Sequence, residues 1–238
     1  MRKIQFILLL LIGLNAVDGL AQSTAKFFDE ADSFFKTFVS NGRIDYARIH
    51  ESPTQLNSLL ELAKNINVRE SNQAVFKAFW INTYNLTVIK GIIDNYPLES
   101  PLDVKGFFDI TQYDLAGESI TLNDIENRKL RAIFDDPRIH FVLVCGAQGC
   151  PPIISEAYFP SKLGAQLQRQ TRGALNDPKF VRVADGKVAL SEIFKWYRED
   201  FVKNGQTEVD FINKFRKEII PADSEITYYP YNWKLNSK

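Results

Sequence analysis

Between Ser71 and Pro97 the chain reads SNQAVFKAFWINTYNLTVIKGIIDNYP, and this stretch constrains the fold more than any other. Its apolar residues, from Val75, Phe76, Phe79 and Trp80 through Tyr84 and Leu86 to Ile92 and Ile93, fall on most sides of a helix. A helix that is apolar nearly all round must lie inside a core, covered by other elements. Ser71 or Asn72 can cap its start, and Tyr96-Pro97 stops it. Two amides, Asn82 and Asn85, interrupt the apolar run. Buried amides need hydrogen-bond partners, so these two are either structural brackets or site residues.

The elements that would cover this helix are legible on both sides of it. AKFFDEADSFFKTFV has helical spacing with one apolar face, and Asn41-Gly42 ends it. PTQLNSLLELAKNI follows Ser52 and carries Pro in its first turn. FFDITQYDLAGESITL reads as a hairpin about Ala116-Gly117, and TLNDIENRKLRAIF as a helix capped by Thr121. IHFVLVC reads as a short buried strand. Beyond it come a helix in SKLGAQLQRQTRGAL and a hairpin in KFVRVADGKVALSEIF with Asp185-Gly186 at its turn. Two helices, SEIFKWYREDF and EVDFINKFRKEII, and an extended ITYYPYNWKLN complete the chain. Without repeats, linkers or composition shifts, the expectation is one α+β domain over residues 22–238, with several helices on a small, mostly antiparallel sheet.

Residues 1–21 have the order of a secretory signal: Arg2 and Lys3, then the apolar run Phe6 to Ile12, then small residues up to Ala21. The apolar run is shorter than the ~20 residues of a membrane span. The expected product is an exported protein, periplasmic or extracellular, with no membrane attachment after cleavage. Basic and acidic residues balance at 29 each, without a basic stripe. Nucleic-acid binding needs clustered positive charge and is not expected.

Chemistry concentrates in HFVLVCGAQGCPPI, His140 to Ile153, which holds both cysteines and one of the two histidines. If Ile139 to Cys145 is a strand, His140 and Cys145 face opposite ways. That favours a His140–Cys150 dyad across the turn GAQG. A histidine beside a thiol promotes the thiolate, and a third group orients the histidine; Glu126, Asp124, Asn82 and Asn85 are candidates. Other readings stay open. An exported chain can close a Cys145–Cys150 disulfide around GAQG. A reversible redox pair is a further reading, although C-x4-C is wider than C-x-x-C. A metal site would have only three ligands without the usual C-x2-C knuckle, so neither metal nor cofactor is expected. Trp196, Tyr197, Tyr228, Tyr229, Tyr231 and Trp233 read as packing or as a sugar or peptide groove. Arg198 could clamp a substrate carboxylate; Glu199 and Asp200 read as a solvated helix face.

The motifs AFWINTYN, LNDIEN, DPRIHFVLVCGAQGCPPI, LSEIFKWYREDF and ITYYPYNWKLN, with NGRIDYARI near the start, together resemble the DUF547 family. The resemblance implies a domain of unassigned activity that occurs in exported bacterial proteins. It also implies shared residues at Trp80, Asn82, Tyr84, Asn85, His140, Cys145, Cys150 and Pro151. The family often has a histidine after the glutamate matching Glu126; here Asn127 stands there, leaving His140 as the base.

The expectation drawn from residues and resemblance is a thiol-dependent hydrolase or acyl transferase with a papain- or transglutaminase-like site. Cys150 would be the nucleophile, His140 the base and Glu126 the orienting group. Asn82 or Asn85 would donate to an oxyanion or position the loop, and Cys145 and Arg198 would contact substrate. The substrate would be a peptide or a small molecule derived from the cell wall. The rival is a binding or scaffold module whose disulfide fixes GAQG.

Overall fold

The computed structural model describes residues 22–184 and 186–238. The expected leader over residues 1–21, and Asp185 of the expected Asp-Gly turn, lie outside the described residues. Helix α1 (residues 22–38) leads through β1 (Val39–Ser40) and β2 (Arg43–Ile44) to α2 (Tyr46–Glu51) and α3 (Thr54–Asn65). These pack on α4 (Gln73–Asp94), whose start is capped by the Asn72 side chain. Helix α4 is buried without a break from Phe76 to Ile89, as an all-round apolar helix requires.

The hairpin of β3 (Gln112–Leu115) and β4 (Glu118–Thr121) turns on Ala116 and Gly117, both at positive φ, 51° and 80°. That geometry suits the right-handed twist of a two-residue turn. The turn also has a tertiary partner, because the Ala116 and Gly117 amides donate to Ala63 and Lys64 at the end of α3. After α5 (Leu122–Asp124) the backbone widens into a π-helix, Ile125–Arg131. Then come a 3-10 turn (Pro137–Phe141), α6 (Leu163–Asn176), β5 (Val181–Ala184), β6 (Lys187–Ser191), α7 (Glu192–Trp196), α8 (Arg198–Phe201), α9 (Glu208–Asn213) and β7 (Glu225–Tyr229).

The α+β class holds. Among the described residues the strands form three small sheets rather than one, and the last pairs β5 antiparallel and β7 parallel to β6. The expected strand Ile139 to Cys145 is not a strand. Asp136 caps the segment by accepting the Arg138 amide, and Pro137 presets a helical φ, so the chain turns instead of extending. The helix expected in SEIFKWYREDF breaks at Tyr197 into α7 and α8.

Two apolar cores result. One gathers α1, α3, α4 and the β3–β4 hairpin; the other gathers the end of α6, the last sheet and α7 to α9. The segment 139–150 is the seam between them. Ile139, Val142 and Val144 point into the first core, Phe141 and Ala147 into the second, and Cys150 touches both. Among the described residues no helix is long and apolar enough to cross a membrane.

Candidate functional site

The His140 segment has no strand to pair with, and α4 secures it with side chains. Lys77 donates to Asp136 at 2.5 Å where the turn begins. Where it ends, Asn85 donates to the Val142 carbonyl and accepts the Val144 amide, each at 2.9 Å. Asn82 does the same for Tyr158, bonding its carbonyl at 2.8 Å and its amide at 2.9 Å. Each asparagine thus substitutes for a missing strand by satisfying a buried N–H and a buried C=O.

Held in this way, His140 is 4% exposed and its Nε2 lies 2.8 Å from Asp200 Oδ2. The same carboxylate oxygen accepts Arg131 Nε at 2.7 Å. Burial alone would raise the Asp200 carboxyl, but the bonds from His140 and Arg131 overcome it and hold the group well below the usual carboxylate range. Asp200 is therefore ionised and fixes the proton on Nε2, which turns Nδ1 toward Glu126, 4.0 Å away. Tyr197 lies flat on the imidazole, with ring centroids 4.1 Å apart, and burial together with the nearby Glu126 charge pushes its phenol far up. Arg131 lies over the Tyr197 ring, 4.9 Å from its centroid. The π-helix supplies Glu126 and Arg131, together with Asn127, whose amide oxygen accepts from Arg131. Such wide turns recur at functional sites.

His140 and Glu126 open onto a cavity of about 280 Å³ at the seam between the cores. Tyr84, Trp196, Tyr197, Tyr231 and Trp233 provide aromatic walls, and Cys145 reaches it from the loop. Cys145 and Cys150 are disulfide-bonded. Their loop is gripped by the C-terminal segment: Gln148 and Gly149 amides donate to Lys234 and Asn232, and the Asn236 amide to Gly146. Gly146 sits at φ 82°, and a Cβ there would meet Ile92 at 2.6 Å. A Cβ on Gly149 would meet Asn232 and the Tyr231 ring at 2.9 Å. The same grip brings Tyr231 over the disulfide, its hydroxyl 3.1 Å from Cys145 Sγ and 2.9 Å from Cys150 Sγ. The Cys145 amide points at Cys150 Sγ, 3.1 Å away. Burial pushes the Tyr231 phenol far up, so it remains a proton donor.

Of the expected site residues, His140, Glu126 and Cys145 share the cavity, whereas Cys150 lines a second cavity on the other side of the disulfide. The strand alternation that favoured His140–Cys150 fails because the segment is a 3-10 turn followed by irregular chain. Glu126 does not make the close contact to the histidine; Asp200 does, on the opposite nitrogen. Asn82 and Asn85 are occupied by backbone and line no wall of the cavity. Arg198 points away, pairing with Glu208 at 3.0 Å. Asp200, Arg131 and Tyr231 are the residues that sequence reasoning passed over. One signal was available, since Asp200 follows the aromatic Tyr197 by one helical turn. The contact with Arg131 spans 69 positions and leaves no local trace. Of the expected aromatic groove, Trp196, Tyr197, Tyr231 and Trp233 line the cavity, while Tyr228 bonds Glu208. Among the described residues no cluster of three or more His, Cys, Asp or Glu has the geometry to hold a metal.

A family model described as a protein of unknown function, DUF547, matches residues 68–173. No curated protein matches the chain, and no solved structure does.

Proposed function

We propose that the protein, whose residues 68–173 match the DUF547 family model, is a thiol–disulfide exchange protein whose working bond is Cys145–Cys150. The observation that carries this reading is the Tyr231 hydroxyl within hydrogen-bond reach of both sulfurs, beside the Cys145 amide on Cys150 Sγ. Two donors aimed at Cys150 Sγ stabilise it far more as a thiolate than as half of a disulfide. A better leaving thiolate speeds exchange.

The step begins with a substrate dithiol in the aromatic cavity. His140 Nδ1, freed by the Asp200 contact on Nε2, takes the proton of one thiol. The thiolate attacks Cys145 Sγ, the Cys145–Cys150 bond breaks, and Cys150 takes the electron pair. The substrate's second thiolate then attacks the sulfur held on Cys145, which leaves as a thiolate. The substrate ends as a disulfide, the protein as a dithiol, and two protons pass from one to the other. The partners' potentials set the direction of net flow. Export, as the expected leader implies, would put the protein where such bonds form. The apolar walls suit a peptide cysteine flanked by an aromatic or aliphatic side chain.

A staple role is less well supported. GAQG is already fixed by three backbone bonds from the C-terminal segment. The hydrolase reading keeps one favouring observation, the His140–Asp200 dyad opening onto the cavity that Cys145 lines. In that form Cys145 replaces Cys150 as the nucleophile and works only in the reduced protein.

One experiment separates the readings. Cys150→Ser leaves Cys145 without its partner. Incubated with a cysteine peptide disulfide, this variant accumulates a mixed disulfide on Cys145, visible by mass spectrometry, and turns over no ester or peptide bond. Hydrolytic turnover by Cys150→Ser that Cys145→Ser abolishes would replace exchange with hydrolysis. Absence of both reactions would leave only the staple.

A further inference from the structure

The disulfide has a second face. Behind Cys150 lies a polar cavity of about 550 Å³, separate from the aromatic one. Arg43 from β2, Lys179 from the α6–β5 connection and Arg182 from β5 line it. Among the described residues the only carboxylate lining it is Asp177, and that group is turned to its own backbone, accepting the Lys179 amide at 2.8 Å. Arg182 lies over the Tyr229 ring, 3.8 Å from its centroid. Stacking holds the guanidinium plane while leaving its N–H edges open. Among the described residues no carboxylate pairs with Arg43, Lys179 or Arg182; Arg43 donates to the Ser237 carbonyl at 3.0 Å. Asn232 and Gln148 add amide groups beside the sulfur.

Arg43, Lys179 and Arg182 come from separate elements and line one hollow with a disulfide sulfur in its wall, and a cationic wall beside a disulfide suits an anion that carries a thiol. We infer that this cavity is the docking site of a small carboxylate-bearing thiol, which exchanges with the disulfide from the Cys150 side. The inference rests on the exchange reading above and adds a second substrate class to it. The thiolate of the docked molecule attacks Cys150 Sγ; the Cys145–Cys150 bond breaks and Cys145 takes the electron pair, with the Tyr231 hydroxyl 3.1 Å away to receive it. A second molecule of the same thiol attacks the sulfur held on Cys150 and releases it as a thiolate. Two thiols become one disulfide, the protein becomes a dithiol, and two protons move with the electrons. The two faces then divide the work, with peptide cysteines meeting Cys145 in the aromatic cavity and the small anionic thiol meeting Cys150 in the cationic one.

The test uses the full disulfide-form protein and three probes that differ in charge: mercaptosuccinate, 2-mercaptoethanol and cysteamine. Opening of the bond is followed by alkylation and mass spectrometry, with each rate expressed per thiolate. The same bond in the urea-unfolded chain serves as the reference. At low salt mercaptosuccinate is expected to outpace cysteamine by about tenfold relative to that reference, the lower end of electrostatic steering. Salt should erase the preference, and Arg182→Glu should reverse it. Lys179→Gln provides a second, milder variant should Arg182→Glu not fold; it should shrink the ratio. Equal relative rates for all three probes would overturn the anionic site while leaving exchange standing. A bond in the folded protein that opens far more slowly than the reference with every probe would overturn the exchange reading itself.

Discussion

Tyr231 serves two sulfurs with one hydroxyl, and its removal discriminates between a reactive and an inert disulfide. Tyr231→Phe keeps the ring against Trp196 and Trp233 and deletes only the donor. A hydrogen bond to a charged group contributes about 1.5 kcal/mol, so the reduction potential should fall by about 30 mV, measured in a dithiol buffer series. An unchanged potential would mean that the hydroxyl does not stabilise the thiolate. Gly149 is sensitive for a different reason. Gly149→Ala puts a methyl against Asn232 and Tyr231, and such overpacking costs about 1–3 kcal/mol. Thermal unfolding and tryptophan fluorescence at Trp196 and Trp233 should register the displaced ring together. The sequence makes plain that GAQG must turn. It is silent on why Gly149 is tight, because the chain that crowds it lies more than eighty positions away.

At the scale of elements, side chains on one buried helix replace the pairing that the His140 segment lacks. Helix α4 and both of its asparagines are conspicuous in the sequence, and so is the need for partners. Which backbone groups those partners are depends on where two irregular segments cross the helix, and periodicity carries no such information. Asn85→Leu should leave the Val142 carbonyl and the Val144 amide unpaired and buried, costing about 2–4 kcal/mol in denaturant unfolding. A loss below 1 kcal/mol would mean that water or a shifted backbone takes over. The other anchor titrates. Burial alone would raise the Asp136 carboxyl, but Arg138 and Lys77 overcome it and hold it at about 2, down from an ordinary 3.8. A depressed carboxylate contributes stability that is complete above its unfolded value and is lost as pH falls through the folded one. Wild type should therefore lose about 2 kcal/mol between about pH 4 and pH 2 that Asp136→Asn does not lose. Parallel acid curves for the two proteins would remove Asp136 as the anchor.

For the whole molecule, the apolar patterning makes the α+β class and the central place of α4 readable, since both follow from which faces must be covered. Two cores meeting at 139–150 are not readable that way. An apolar run looks the same whether it enters one core or divides two, and IHFVLVC reads as a strand for that reason. The seam brings aromatic side chains from α4, α7 and the C-terminal segment around a single disulfide. Because the tail fixes the loop independently, Cys145→Ser with Cys150→Ser should stay folded. The chain-entropy cost of opening so short a loop is about 2 kcal/mol, which calorimetry would resolve.

The most direct measurement is the reduction potential of the Cys145–Cys150 bond in the folded full chain, set against dithiol buffers of known potential with alkylation to quench. An exchange centre should equilibrate above about −300 mV, within the range of proteins that trade disulfides. A bond that stays closed until well below about −300 mV would be a structural staple, and thiol–disulfide exchange at this site would be wrong.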